Sequence, residues 1–194
     1  MRIISVIGSK DSGKTTAIEY LVRQLSNRGL VVGSAKHMHS TDASVDQPRK
    51  DTGRHASAGA KVIAAVAPRE LTVIKKVDTS DFTLDALLKL LENEELDVLV
   101  LEGFHRKVSE RHDILKIVTA KDETDALRTL EGTSPPILAI TGTISSLRHL
   151  SEIKGIPVVD LEGMGNLLVD RVEVLVRTRG HDERASSANR TFHS

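Results

Sequence analysis

Residues Gly8-Ser9-Lys10-Asp11-Ser12-Gly13-Lys14-Thr15-Thr16 follow the apolar run that ends at Ile7 and fit the spacing GxxxxGK[ST]. That spacing describes a loop between a strand and a helix whose backbone cradles phosphates. Gly8 and Gly13 permit backbone angles and close approaches that a Cβ would obstruct, so successive N–H groups can turn toward one anion. Lys14 supplies a mobile positive charge for the outer phosphates. Thr15 offers a hydroxyl to a Mg²⁺ ion bridging them, and the helix that begins there presents its positive dipole end to the same group. Glu102 closes the run Leu96 to Leu101, where such a fold places an acidic group near the metal. Thr15 and Glu102 are therefore the candidate metal-side residues, and Asp97, at the other end of that run, reads as structural.

The elements needed to hold this chemistry are legible around it. Ile18, Leu21, Val22 and Leu25 recur at helical spacing, and Asn27-Arg28-Gly29 supplies a stop. Val31 to Ala35 reads as a second strand, followed by Lys36-His37-Met38-His39 and a polar loop to about Asp51 that is long for a compact domain. His37 and His39 are two apart, so in extended backbone they share a side and could hold a metal or an anion. A short helix through Ala60, strands over 61–66 and 71–74 around Pro68, and a helix carrying Leu84, Leu87, Leu88 and Leu91 come next. Leu96 to Leu101 reads as a central buried strand. Further strands are expected over 114–118, 137–140 and at Val158-Val159, then a helix over 167–176 and a loose tail over 177–194. Alternating strands and helices imply a mostly parallel sheet with right-handed crossovers and a ligand crevice at the strands' carboxyl ends.

Composition narrows the class. The chain has 194 residues and 39% apolar content, enough for one α/β domain, expected over 1–176. Lys plus Arg and Asp plus Glu are equal at 27 each, and aromatics are only 2%. There is no global field to draw the chain to nucleic acid or anionic membrane, and no stacking platform for bases, so any anion site is local. With zero cysteines, disulfides, thiolate zinc sites and iron–sulfur clusters are excluded. The N-terminus reads as a strand rather than a signal peptide, and no apolar run reaches membrane length, so a cytoplasmic location is expected.

Four blocks in order resemble the molybdopterin-guanine dinucleotide biosynthesis adapter family, MobB. They are Gly8 to Thr16, Lys36-His37-Met38-His39, Val45 to Thr52 leading to Ala58-Gly59-Ala60, and Leu96 to Phe104 ending Leu-Glu-Gly-Phe. The resemblance covers about residues 2–118. It implies a P-loop NTPase-like three-layer sandwich that binds GTP with Mg²⁺ and hydrolyses it slowly. It also implies assistance to the guanylyltransferase that joins molybdopterin to GMP, so that enzyme and molybdopterin are the implied partners, with a homodimer as a further one.

Carried over by residue, Asp11 to Thr16 would hold phosphates, and Thr15 and Glu102 would serve Mg²⁺. His37, His39, Asp46, Lys50 and Asp51 would form a second wall, with Asp46 or Asp51 ordering a hydrolytic water. Arg49 stands where the family usually has Gly, and no intact NKxD guanine reader is present. Thr119 to Asp122 is misspaced for that role, and Ala139-Ile140-Thr141-Gly142 matches by position alone. Two other readings stay open: a small-molecule kinase with Asp46 or Asp51 as base and Arg106, Arg111 and His112 in a lid, and a metal chaperone with His37 and His39 as its handle.

Overall fold

Val98, Leu99, Val100 and Leu101 are all completely buried. A strand achieves that only where both faces of its sheet are covered. A computed structural model describes residues 1–38, 51–147 and 150–190, with side chains described to residue 178. In chain order the elements are β1 (Arg2–Gly8), α1 (Lys14–Asn27), β2 (Val32–Lys36), α2 (Asp51–Ser57), β3 (Val62–Ala67), β4 (Glu70–Lys75) and α3 (Leu84–Leu90). There follow β5 (Val98–Glu102), α4 (His105–Val108), β6 (Leu115–Thr119), α5 (Glu123–Glu131), β7 (Ile137–Thr141), a 3₁₀ turn (Thr143–Ser146), β8 (Glu152–Ile153), β9 (Ile156–Pro157) and α6 (Leu161–Arg190).

The main sheet has five strands in the order β2-β5-β1-β6-β7, and every neighbouring pair is parallel. The register aligns the strand ends. Lys36 pairs with Glu102, Val6 with Glu102, Gly8 with Thr119, and Thr119 with Thr141. One edge of the sheet therefore carries the phosphate-loop glycine and the polar ends of its neighbours, the place where open α/β sheets bind ligands.

Helices flank this sheet as the sequence pattern predicts. Ile4, Val6, Val98, Val100 and Ile117 pack with Leu21 and Leu25 of α1 and with Val169 and Val172 of α6 in one cluster. Helices α4 and α5 lie against β1, and α5 also against β6. Burying one such leucine stabilises the fold by about 1.5–3 kcal/mol.

By their contacts the residues form two compact units, Met1–His37 with Leu90–Ser194, and Met38–Lys89. The first holds the five-stranded sheet. The second holds α2, most of α3 and the β3–β4 hairpin, whose register sets Ile63 opposite Ile74 and Ala65 opposite Thr72.

Three local features differ from the sequence pattern. Residues Val158-Val159 form no strand of their own: Val158 makes one isolated parallel bridge to Ile140. The segment Glu123–Glu131 is a helix capped by Asp122, whose side chain accepts from the Asp125 N–H. The last helix starts at Leu161 and runs to Arg190, through most of the segment expected to be a loose tail. Residues 177–190 contain no proline, so a helix whose earlier turns dock on the core through Leu168, Val169, Val172 and Val176 can continue through them, at the modest cost of Gly180.

Candidate functional site

Residue Gly13 precedes α1 at φ 95° and ψ 18°, and no side chain caps the helix start. Two other helix starts of this unit show the contrast, though that of α4 is likewise uncapped: Asp122 caps α5, and the Asp160 carboxylate accepts from the Gly163 N–H at 3.2 Å at the start of α6. Among the described residues the first amides of α1 thus have no side-chain acceptor, and the positive end of a fourteen-residue helix stands behind them. An anion at that point would satisfy both.

The loop before α1 is held in shape from behind. Gly8 lies so close to β6 that a Cβ would stand 2.1 Å from the Thr119 carbonyl oxygen. Gly142, at φ +95°, approaches the loop from β7, and a Cβ there would stand 2.1 Å from the Ser12 carbonyl oxygen. Only glycine fits either place. The buried Ser12 hydroxyl donates to the Ser9 carbonyl at 2.8 Å and lies 2.8 Å from the Thr119 hydroxyl. Ser12 can therefore offer a phosphate its backbone, its hydroxyl being engaged inside the loop. Ser9 donates to Asp125 Oδ2 at 2.7 Å, and that oxygen also accepts from the Lys121 N–H at 3.1 Å. Asp11 is exposed, with φ 60°, at the loop's outer bend, and Lys10 is exposed beside it.

Lys14 Nζ donates to the Gly8 carbonyl at 3.2 Å and to the Ser9 carbonyl, so the ammonium is anchored across the loop. Burial holds its pKa below the ordinary 10.5, while the carboxylates of Glu102, Asp11 and Asp125 pull the other way. Thr15 Oγ1 donates to Glu102 Oε1 at 3.3 Å, and Lys36 Nζ lies 3.0 Å from the same oxygen. Thr15 and Glu102, expected to serve one metal, are thus neighbours. A hydroxyl and a carboxylate are hard oxygen donors that suit Mg²⁺, which keeps its other positions for water and phosphate. The Lys36 ammonium would share that carboxylate oxygen with the ion.

His37 follows β2 and donates its backbone N–H to the Glu102 carbonyl at 2.8 Å, with its ring 5.3 Å from that of Phe104. This places His37 at the carboxyl edge beside Glu102. Thr16 lies in the first turn of α1. Asp51 is in the first turn of α2, in the other unit, and lies 3.5 Å from Arg54 as an exposed ion pair. The assignments to His39, Asp46 and Lys50 lie outside the described residues. Asp97 is structural as expected: its Oδ2 accepts from the Val31 N–H at 2.8 Å.

Sequence reasoning missed Thr119, Asp125 and Gly142 as supports of the loop, and Lys36 as the partner of Glu102. Their contacts with the loop join positions far apart in the chain, so no local pattern announces them.

The family model described as "Molybdopterin guanine dinucleotide synthesis protein B" matches residues 3–143. The chain belongs to the MobB family. Its relatives include a Methanocaldococcus jannaschii protein, 37% identical over 123 residues, with 63% of this chain and 49% of that protein covered. A Bacillus subtilis relative is 30% identical over 157 residues, covering 80% of this chain and 83% of its own. Both carry the name of a molybdopterin-guanine dinucleotide biosynthesis adapter protein. The matched stretch spans about half the length of the M. jannaschii relative. Among solved structures, the crystal structure of B. subtilis MobB superposes with a TM-score of 0.69 at 28% identity, covering 90% of this chain and 97% of that one. The MobB fold is therefore the P-loop NTPase-like α/β sandwich expected from the sequence.

Proposed function

We propose that this chain is a GTP-binding adapter in molybdopterin-guanine dinucleotide biosynthesis, acting in the cytoplasm on the guanylyltransferase that joins GMP to molybdopterin. Family membership and the adapter names of its relatives support the pathway. One structural observation supports the nucleotide: the start of α1 has no side-chain cap, with the Lys14 ammonium anchored on the adjoining loop. In this reading Asp11 to Thr16 hold the phosphates, Thr15 and Glu102 hold Mg²⁺, and the ion neutralises charge between the outer phosphates.

The nucleotide-binding domain spans 1–176 in this proposal, and the chain works as a homodimer. His37, His39 and Lys50 complete the nucleotide site, and Asp46 or Asp51 orders the water for a slow hydrolysis. Arg111, one of the residues a kinase lid would need, is occupied by a two-pronged contact with Asp113 at 2.8 Å, which favours the adapter over the kinase reading. Among the described residues no group of three or more His, Cys, Asp or Glu could hold a metal ion.

The test is reconstitution of dinucleotide formation from guanylyltransferase, molybdopterin and Mg²⁺–GTP. The proposal predicts that the chain raises the yield and that Lys14→Ala abolishes the gain. A yield indifferent to the chain, or a gain that survives Lys14→Ala, contradicts it.

A further inference from the structure

A cavity of about 250 Å³ opens beside the phosphate loop, lined by Gly13 and Thr16 on one side and by Thr141, Ser145, Asp160 and Glu162 among the residues on the other. Pockets that hold whole small ligands run to about 300–1,000 Å³, so this one is sized for part of a molecule whose remainder lies elsewhere. The loop supplies that elsewhere, because Gly13 and Thr16 belong to it and Gly142, also lining the cavity, backs it. Two further observations describe what would fit. Thr141, 1% exposed, carries a buried hydroxyl with no hydrogen-bond partner among the described residues, an unsatisfied polar group in the wall of the cavity. Among its described lining residues the cavity has two carboxylates and no cation, so it suits a neutral group rich in N–H donors and rejects a second anion.

We propose that this cavity holds the base of the nucleotide whose phosphates sit on the loop, and that Asp160 selects guanine. Resting on the nucleotide-binding reading above, the assignment adds the group that distinguishes one purine from the other. Guanine presents two adjacent donors, N1–H and the 2-amino group, which a carboxylate accepts together. Adenine presents a lone pair at N1, which a carboxylate repels. Asp160 is half-buried whereas Glu162 is exposed, so Asp160 is the better shielded acceptor. Its oxygens accept only long bonds from the start of α6, 3.4 Å from the Glu162 N–H and 3.2 Å from the Gly163 N–H, and a carboxylate has lone pairs to spare for the base.

The experiment compares Mg²⁺ complexes of guanosine, adenosine, inosine and xanthosine triphosphates, with tripolyphosphate as a ligand lacking any base, binding to the full chain, Asp160→Asn and Lys14→Ala. Asn caps a helix as well as Asp does, so Asp160→Asn retains its role at α6, and an unchanged melting temperature verifies this. The expected result is at least a tenfold preference of the unaltered chain for guanosine over adenosine and inosine triphosphates. Asp160→Asn should lose at least tenfold for guanosine triphosphate and gain for xanthosine triphosphate, whose 2-oxo group accepts from the new amide. Guanosine triphosphate binding that needs Lys14 but is unmoved by Asp160→Asn overturns the base assignment alone. Binding indifferent to Lys14→Ala overturns the phosphate reading, and the base assignment falls with it.

Discussion

At the scale of single residues, Lys14 carries the largest expected effect. A charge-assisted hydrogen bond contributes about 1.5–3 kcal/mol, so Lys14→Ala should weaken tripolyphosphate binding by roughly 10- to 100-fold at neutral pH, read by calorimetric titration. The sign of its pH dependence follows from burial, which lowers its pKa from 10.5. The folded chain binds this proton less tightly than the unfolded one, so the cost to stability is present at low pH and is relieved as pH rises through the lowered pKa. Phosphate affinity should run the opposite way and decline as pH rises from neutral toward that lowered value. The decline should vanish in Lys14→Met. Glu102→Gln should weaken Mg²⁺ binding in the presence of nucleotide without weakening tripolyphosphate binding in the absence of metal, measured by Mg²⁺ titration. Lys14, Thr15 and Glu102 were legible because their spacing and their strand context carry the chemistry. Asp125 was not, because its contact with Ser9 joins residues 116 positions apart and nothing near Asp125 in sequence marks it as a support for the loop.

At the scale of elements, the phosphate loop depends on the turn after β7 as much as on its own glycines. Gly142→Ala should strain a left-handed backbone position at a cost of about 1–3 kcal/mol and push against the Ser12 carbonyl. Both the melting temperature and nucleotide affinity should fall, whereas Gly29→Ala, where an added Cβ has nothing within 4 Å, should lower stability and spare affinity. Strands β1 and β5 were readable from their unbroken apolar runs. Helix α5 was not, because its buried positions include Asp125 and Thr129 beside Ala126 and Leu130, and the apolar stripe is too thin to see. The start of α6 was hidden by Gly163 and Gly165, poor helix formers. Gly165 is accepted there because a Cβ would stand 2.4 Å from the Tyr20 hydroxyl, so the two helices pack at the place where the helical pattern is weakest.

At the scale of the whole molecule, the last buried position of α6 among the described side chains is Val176. Leu168→Ala, which empties a buried site on the same helix, should cost about 2–5 kcal/mol in chemical denaturation. Among the described residues no helix is long and apolar enough to cross a membrane. Three of the four blocks, those holding Gly8, Lys36 and Glu102, meet at the carboxyl edge of one sheet, which is why the family and the fold could be read from such short stretches. The division into two units was not legible, since it follows from contacts rather than from a change in composition along the chain.

The most direct measurement is a calorimetric titration of Mg²⁺–GTP into the purified full-length chain and into Lys14→Ala side by side. Saturable binding by the chain, weakened at least tenfold in the variant, is the predicted result. Equal binding by the two proteins, or none by either, would contradict the nucleotide site on which the adapter role rests.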